Sequence, residues 1–323
     1  MSSVPISTVK INHSAEELAE SWNPKERFHK STGNFRSKNG GESIFFKRYT
    51  PKKHISSEKL IHLWFVHDIA DYHGRYLDFV TYLLKMIPEN IVVSLIDLKG
   101  HGMSSGSRAY IKSFDEYCFD FVDFVNSYPS TLPVSHNVFM GTGMGGLMTI
   151  KTIINFRSDL ETTENLSMIL TNPFIYPTFD LKKSSRRLLK YGKSLFSSSK
   201  FQLKSPIDVY NLTRDQNKMH EYMADQLVSS QISLSLINEI MKSSDQLRRF
   251  AYYIDIPSLF LISGETKLNC PSTTELFFQG IPTDDKKLSL YADGHHDILN
   301  DLNSEIVFND IYNWLTELVR PKG

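Results

Sequence analysis

Five short stretches of the chain are apolar almost without interruption: Leu60–Val66, Ile91–Ile96, Asn137–Met140, Leu166–Leu170 and Ser258–Ile262. None alternates strictly between apolar and polar positions, so each predicts a strand buried on both faces, as in a parallel sheet covered by helices. Between and after them, Phe114–Asn126, Gly145–Asn155 and Ser304–Val319 carry apolar residues at helical spacing. That alternation predicts an α/β fold with a mostly parallel, doubly wound sheet. The rhythm breaks between Phe174 and Phe250, where the chain is polar, helical in pattern and strand-free, and it resumes at Ile256. Such a break predicts a helical cap inserted into the core. Near the start, Ser14-Ala15-Glu16-Glu17 has the form of a capping box and predicts one short helix in a docked extension. The expected organisation is an N-terminal extension over 1–27, a core over 28–173 and 250–323, and a cap over 174–249.

Within the cap, Leu181–Lys204 carries Lys182, Lys183, Arg186, Arg187, Lys190, Lys193, Lys200 and Lys204 and no acidic residue. Leu181, Leu188, Leu189, Leu195 and Phe196 fall roughly on one helical face. A basic amphipathic helix can rest on an anionic membrane; a merely solvated basic face is the other reading of the same pattern. The chain as a whole is balanced, with 36 basic and 36 acidic residues among 323. No global surplus draws it onto nucleic acid, and no nucleic-acid motif stands out. Two cysteines, Cys118 and Cys270, exclude a disulfide scaffold and a Cys-rich zinc module. The apolar runs are too short to span a bilayer, and the N-terminus lacks the pattern of a signal peptide. A reducing, cytoplasmic setting is expected, with membrane contact, if any, peripheral through 181–204.

The densest chemical signal is Asn137-Val138-Phe139-Met140-Gly141-Thr142-Gly143-Met144-Gly145-Gly146-Leu147, a strand entering a glycine-rich turn and then a helix. This is the context of the nucleophile elbow G-x-S-x-G. The glycines allow a sharp turn and close packing, and the helix N-terminus offers N–H groups to a developing oxyanion. The central position, which needs a hydroxyl, holds Gly143. The segment has neither the G-x-G-x-x-G register of a dinucleotide site nor the Lys-Ser/Thr ending of a P-loop.

At this point the chain resembles the monoacylglycerol lipase and lysophospholipase group of α/β-hydrolases, from about Gly33 onward. Val66-His67-Asp68 with His73-Gly74-Arg75-Tyr76 resembles the family segment H-G-x-x-x-H-x-x-R-Y. Asp97-Leu98-Lys99-Gly100-His101-Gly102-Met103-Ser104-Ser105-Gly106 resembles D-x-x-G-H-G-x-S-x-G, and Gly141–Gly146 stands where the family has G-H-S-M-G-G. Gly294-His295-His296-Asp297-Ile298-Leu299-Asn300-Asp301 resembles G-x-x-H-E-x-x-N-E. The resemblance implies an α/β-hydrolase fold and hydrolysis of a lipid ester by a serine, a histidine base and an orienting aspartate.

Carried over residue by residue, the serine position is Gly143, the aspartate position is Lys267 and the histidine position is His296. The resemblance places the oxyanion hole at the N–H groups of Ile69 and Met144, beside Asp68, where the family has glycine. A carboxylate aimed into that hole would oppose developing negative charge; one aimed outward would not. Thr142 and Cys270 are the candidates for a displaced nucleophile, Cys270 because a Cys–His pair with His296 is a known arrangement; an ordinary buried thiol is the favoured reading of Cys270. Ser104 and Ser105 fall in a segment matched to a structural part of the family, and Glu265 precedes the matched acid position. His73 and His101 are expected to make local hydrogen bonds. The expected reading is a non-catalytic member that retains an apolar pocket for a lipid or acyl ligand, or a surface for a protein partner. The alternative is a working hydrolase of monoacylglycerol or lysophospholipid esters with a displaced or deliberately removed nucleophile. No cofactor is implied, and no His/Cys/Asp/Glu spacing, His295-His296-Asp297 included, suits a metal.

Overall fold

The computed structural model describes residues 23–55, 59–161, 165–179 and 201–320. In chain order the strands are β1 (Phe28–Arg36), β2 (Ser43–Pro51), β3 (Leu60–Val66), β4 (Ile91–Ile96), β5 (Val134–Thr142), β6 (Leu166–Thr171), β7 (Gln202–Lys204), β8 (Gln231–Ser233), β9 (Ser258–Ser263) and β10 (Lys286–Tyr291). The helices are α1 (Pro24–Arg27), α2 (Leu77–Met86), α3 (Asp115–Ser127), α4 (Met144–Asn155), α5 (Gln216–Ala224), α6 (Leu234–Leu247), α7 (Pro271–Gln279) and α8 (Ser304–Val319).

Eight strands form one sheet in the order β1-β2-β4-β3-β5-β6-β9-β10. From β4 to β10 every pairing is parallel, while β2 is antiparallel to both β1 and β4. The central strands are buried on both faces, and their side chains divide between two cores. Trp64 and Val66 of β3 join Phe139 of β5 and Phe260 of β9 under α3 and α4. Ile61, Leu63 and Phe65 join Val138, Met140, Leu259 and Leu261 under α2 and α8. Each central strand therefore removes both of its faces from water, which is why these strands lack alternation.

The outer strands differ. β1 exposes most of its length, and β10 is only half-buried. Their sequences carry no continuous apolar run, so the pattern that located the central strands did not locate them.

Between β6 and β9 the chain leaves the sheet. α6 buries Leu236, Ile237, Ile240 and Leu247 in the core shared with α4, and Ser233 caps it by accepting from the Leu236 N–H at 3.1 Å. Ser235 and Ser244 donate to the carbonyls of Ile111 and Ile175, and Glu239 accepts from the Phe114 N–H. The expectation of a strand-free segment is corrected here: β7 and β8 form an antiparallel pair. Gln202–Lys204 thus ends the proposed basic helix of 181–204 in strand. Residues 180–200, which carry most of that helix, lie outside the described residues, as does the expected helix at Ser14–Glu17. No helix among the described residues is long and apolar enough to cross a membrane.

One buried acid away from the sheet's functional edge makes a test of the packing. Asp120 of α3 accepts from the Ser37 hydroxyl at 2.5 Å, and its other oxygen has no partner among the described residues. Burial pushes its carboxyl up to about 7, against the pull of the Ser37 bond. A carboxyl raised on folding binds a proton in the native state that the unfolded chain has released. Its contribution is therefore most favourable at low pH and is lost as pH rises through about 7. Asp120→Asn removes that titration. The Tm difference between variant and wild type is expected to be about 3–6 °C more favourable to the variant at pH 8 than at pH 4.5. A pH-independent difference in a thermal-melt series would refute this.

Candidate active site

The site lies where the carboxyl ends of β3 and β5 run side by side, with Val66 opposite Gly141; crevices at such strand ends are the usual ligand sites of open α/β sheets. Gly143 turns the chain from β5 into α4 with φ 50° and ψ −110°, a left-handed conformation that disfavours side chains. Gly145 is required for a different reason, because a Cβ there would meet the carbonyl oxygens of Val66 and His67. The turn thus has the shape expected of an elbow, and α4 aims its first N–H, that of Met144, back at the loop after β3.

What fills that space is Asp68. Its Oδ1 accepts from the Ile69 N–H at 2.6 Å and the Met144 N–H at 2.7 Å. Its Oδ2 lies 2.9 Å from His296 Nε2. The carboxylate therefore points inward, and it occupies the room beside the apex as well. A Cβ built on Gly143 would overlap Oδ1, Cγ and Oδ2 of Asp68. One side chain thus holds two expected oxyanion donors, meets the histidine and takes the place of a side chain at position 143.

His296 is fully buried and held on every side. Its Nδ1 is 2.9 Å from the Thr266 hydroxyl, and its ring stacks on Phe174 at 5.5 Å between centroids and 25° between planes. Its carbonyl accepts from Asn172 Nδ2 at 2.6 Å. An ionised carboxylate only accepts, so Nε2 carries the proton that faces Asp68. A histidine base must instead present a bare Nε2 to the hydroxyl it activates. As arranged here, His296 has no free nitrogen directed at a nucleophile.

The remaining sequence candidates are placed apart from this centre. Lys267, at the matched acid position, is largely exposed and pairs with Glu265 at 3.2 Å. The Nδ1 partner is its neighbour Thr266, which the sequence reading passed over; the only available signal was a hydroxyl adjacent to the matched position. Cys270 precedes α7, with its thiol 3.3 Å from the Ser272 hydroxyl. That bond and one to Thr273 hold the thiol below its usual range. Thr142 is buried at the end of β5, paired in register with Thr171. Neither Cys270 nor Thr142 is a partner of His296, whose two nitrogens are taken by Asp68 and Thr266. The candidate Cys270–His296 pair is therefore not formed.

His73 and His101 make local bonds. His73 Nδ1 is 2.8 Å from Asp97 Oδ1, and His101 Nδ1 is 3.1 Å from the Lys99 carbonyl. Burial pushes His101 down to about 3. Ser104 and Ser105 brace the backbone of β2 by accepting from the N–H groups of Phe45 and Ser43.

A second polar group adjoins the first. Arg75 is buried between Asp71, 3.6 Å from Nε, and Asp297, 3.3 Å from Nη2. Its guanidinium lies 4.8 Å from the ring centre of Tyr222 on α5. Tyr76 donates to Asp71 at 2.9 Å, and Asn300 donates to Asp297 at 2.9 Å. Burial raises the carboxyl of Asp71 to about 7 despite Arg75, and raises that of Asp297 as well. Burial lowers Arg75, but the charges of Asp71 and Asp297 outweigh it and keep the guanidinium protonated. Among the described residues, no group of three or more His, Cys, Asp or Glu is arranged to hold a metal ion.

Comparison with known proteins places this geometry. A family model described as serine aminopeptidase, S33 (Hydrolase_4) matches residues 58–303. An uncharacterized abhydrolase domain-containing protein of Dictyostelium discoideum is 26% identical over 281 residues, 86% of this chain, and this chain spans only 28% of that relative's length. The monoglyceride lipase of Rattus norvegicus is 23% identical over 264 residues, covering 80% of this chain and 82% of that one. A soluble variant of the Saccharomyces cerevisiae monoglyceride lipase, solved with a substrate analog, superposes with a TM-score of 0.76 at 18% identity, covering 91% of this chain and 96% of that one. The Paleococcus ferrophilus monoacylglycerol lipase superposes with a TM-score of 0.70 at 18% identity, over 90% and 99% of the two chains. This chain belongs to the serine aminopeptidase S33 family and is a monoglyceride lipase-like α/β-hydrolase.

Proposed function

We propose that this chain is a non-hydrolytic member of the monoglyceride lipase-like α/β-hydrolases, which keeps the family's site as a place to bind an acyl or lipid ligand. One observation carries the reading: the Asp68 carboxylate occupies the oxyanion hole and binds the histidine, beside an apex that has no side chain. The magnitudes point the same way. Loss of the nucleophile of a serine hydrolase costs on the order of 10⁶ in kcat. Loss of a single oxyanion donor costs on the order of 10²–10³. A fixed negative charge in that hole opposes the transition state more strongly than an empty hole, because it repels the charge that must develop there. The acyl or lipid class follows from the likeness to monoglyceride lipases.

The test is labelling of the purified full chain with a fluorophosphonate probe, alongside turnover of p-nitrophenyl butyrate. No labelled residue and no turnover above buffer are expected. Labelling that disappears on mutating one Ser, Thr or Cys, or turnover abolished by His296→Ala, would establish a working hydrolase with a displaced nucleophile.

A further inference from the structure

We propose that the cradle formed by the N–H groups of Ile69 and Met144 and by His296 Nε2–H is a receptor for a monocarboxylate, in which Asp68 is a tethered and displaceable occupant. This inference rests on the hole being filled by Asp68, as proposed above, and goes further by assigning the chemistry of the ligand.

The donors specify the ligand. Three N–H groups converge on one small volume, two on a single oxygen at 2.6 and 2.7 Å and the third on its partner oxygen at 2.9 Å. Among the described residues, no acceptor other than Asp68 takes part. A planar anion with two oxygens on one carbon satisfies all three donors. A neutral ester or amide offers only one strong acceptor oxygen and leaves a buried donor without a partner, which is costly. Met144 also opens the 12-residue helix α4, so its N–H lies at the positive end of the helix dipole.

Two of the three donors are fixed, while the third, the Ile69 N–H, lies one residue along the same loop as the occupant. His296 is fixed by Thr266, Phe174 and Asn172. Met144 is fixed by the elbow, with the Phe174 N–H bonded to the Gly143 carbonyl at 3.1 Å. Asp68 reaches in from the loop after β3, a loop that includes Ala70 in a left-handed conformation at φ 61°. A non-glycine residue there is strained. The Asp68 side chain beyond its Cα is acetate in all but one hydrogen. Shortening it to glycine therefore leaves an acetate-shaped vacancy lined by the same donors. In the wild-type chain the tether gives Asp68 a high effective concentration, so an external carboxylate competes at a disadvantage on the order of 10² or more.

The experiment uses full-length Asp68→Gly, shown to be folded by circular dichroism, in thermal melts titrated with sodium acetate against sodium chloride at equal ionic strength. A saturable rise in Tm is expected with acetate and not with chloride or acetamide. The midpoint for wild type should lie at least about 100-fold higher, and the effect should vanish in Asp68→Gly/His296→Phe. Equal responses in wild type and variant, a response to acetamide equal to that to acetate, or no response in a folded variant would overturn the proposal. If Asp68→Gly does not fold alone, its refolding yield reads the same property: acetate-dependent yield supports the proposal, and equal yields in acetate and chloride overturn it. A fluorophosphonate-labelled wild type would sink the non-hydrolytic reading whatever the melts show, so the two failures are distinguishable.

Discussion

Asp68→Gly, Gly143→Ser and Thr266→Asp combined in one chain are expected to create p-nitrophenyl butyrate hydrolysis more than about 10³-fold above wild type, with fluorophosphonate labelling at position 143. Gly143→Ser alone is expected to stay inert and to lower the Tm. The reason is steric before it is chemical. Any Cβ at 143 would overlap the Asp68 carboxylate, and the left-handed backbone there adds about 1–3 kcal/mol of strain. Clearing Asp68 frees the N–H groups of Ile69 and Met144 and releases His296 Nε2. Placing a carboxylate at 266, whose side chain touches Nδ1, draws the histidine proton to Nδ1 and leaves Nε2 able to accept one. The pair of substitutions at 68 and 143, without the one at 266, should lose most or all of that gain, since a base in the wrong tautomer costs on the order of 10⁴. The analogous triple variant with Lys267→Asp in place of Thr266→Asp should gain less, because Lys267 faces solvent. A triple variant that folds and remains inert would show that the surrounding structure no longer admits an ester.

Arg75→Met should lower stability by about 3–5 kcal/mol near pH 7.5, the range seen when one partner of a buried ion pair is removed. Calorimetry should show this as a Tm drop of roughly 6–15 °C. The guanidinium stands between two buried carboxylates and against the Tyr222 ring. Methionine fills much of the volume but leaves Asp71 and Asp297 facing each other without a cation. The penalty should shrink with acid. The Asp71 carboxyl is already raised to about 7, and Asp297 is raised too. Asp71 shifts further without Arg75, so near pH 5.5 it is protonated in the folded variant and the repulsion between the two carboxylates is relieved. A loss that is the same at pH 5.5 and 7.5 would mean that packing, not charge, is what Arg75 supplies.

The framework was legible because burial on both faces writes itself into the chain as unbroken apolar runs. Leu60–Val66, Ile91–Ile96 and Ser304–Val319 fall at the same residues in sequence and structure. Strands with one wet face were not legible by that signal. β1 and β2 at one edge and β10 at the other mix polar and apolar residues, and β7 and β8 are too short for any period to show. The site was legible as a set of positions. Gly143, Asp68, Ile69, Met144 and His296 were all singled out, and all meet in space. Thr266 was not, because the matched acid position lies one residue later and a one-residue offset in a loop has no periodic signature.

The sequence by itself determined which atoms are present: no side chain at 143, a carboxylate at 68, an imidazole at 296. Chemistry belongs to residue type, so that much needs no coordinates. Where the Asp68 carboxylate points was decided only by the tertiary structure. The answer depends on the Met144 N–H and the His296 ring nitrogen, brought from two distant parts of the chain to within 3 Å of one side chain that also takes the N–H of its neighbour Ile69. Convergence of that kind is a property of packing, and no local pattern of residues encodes it.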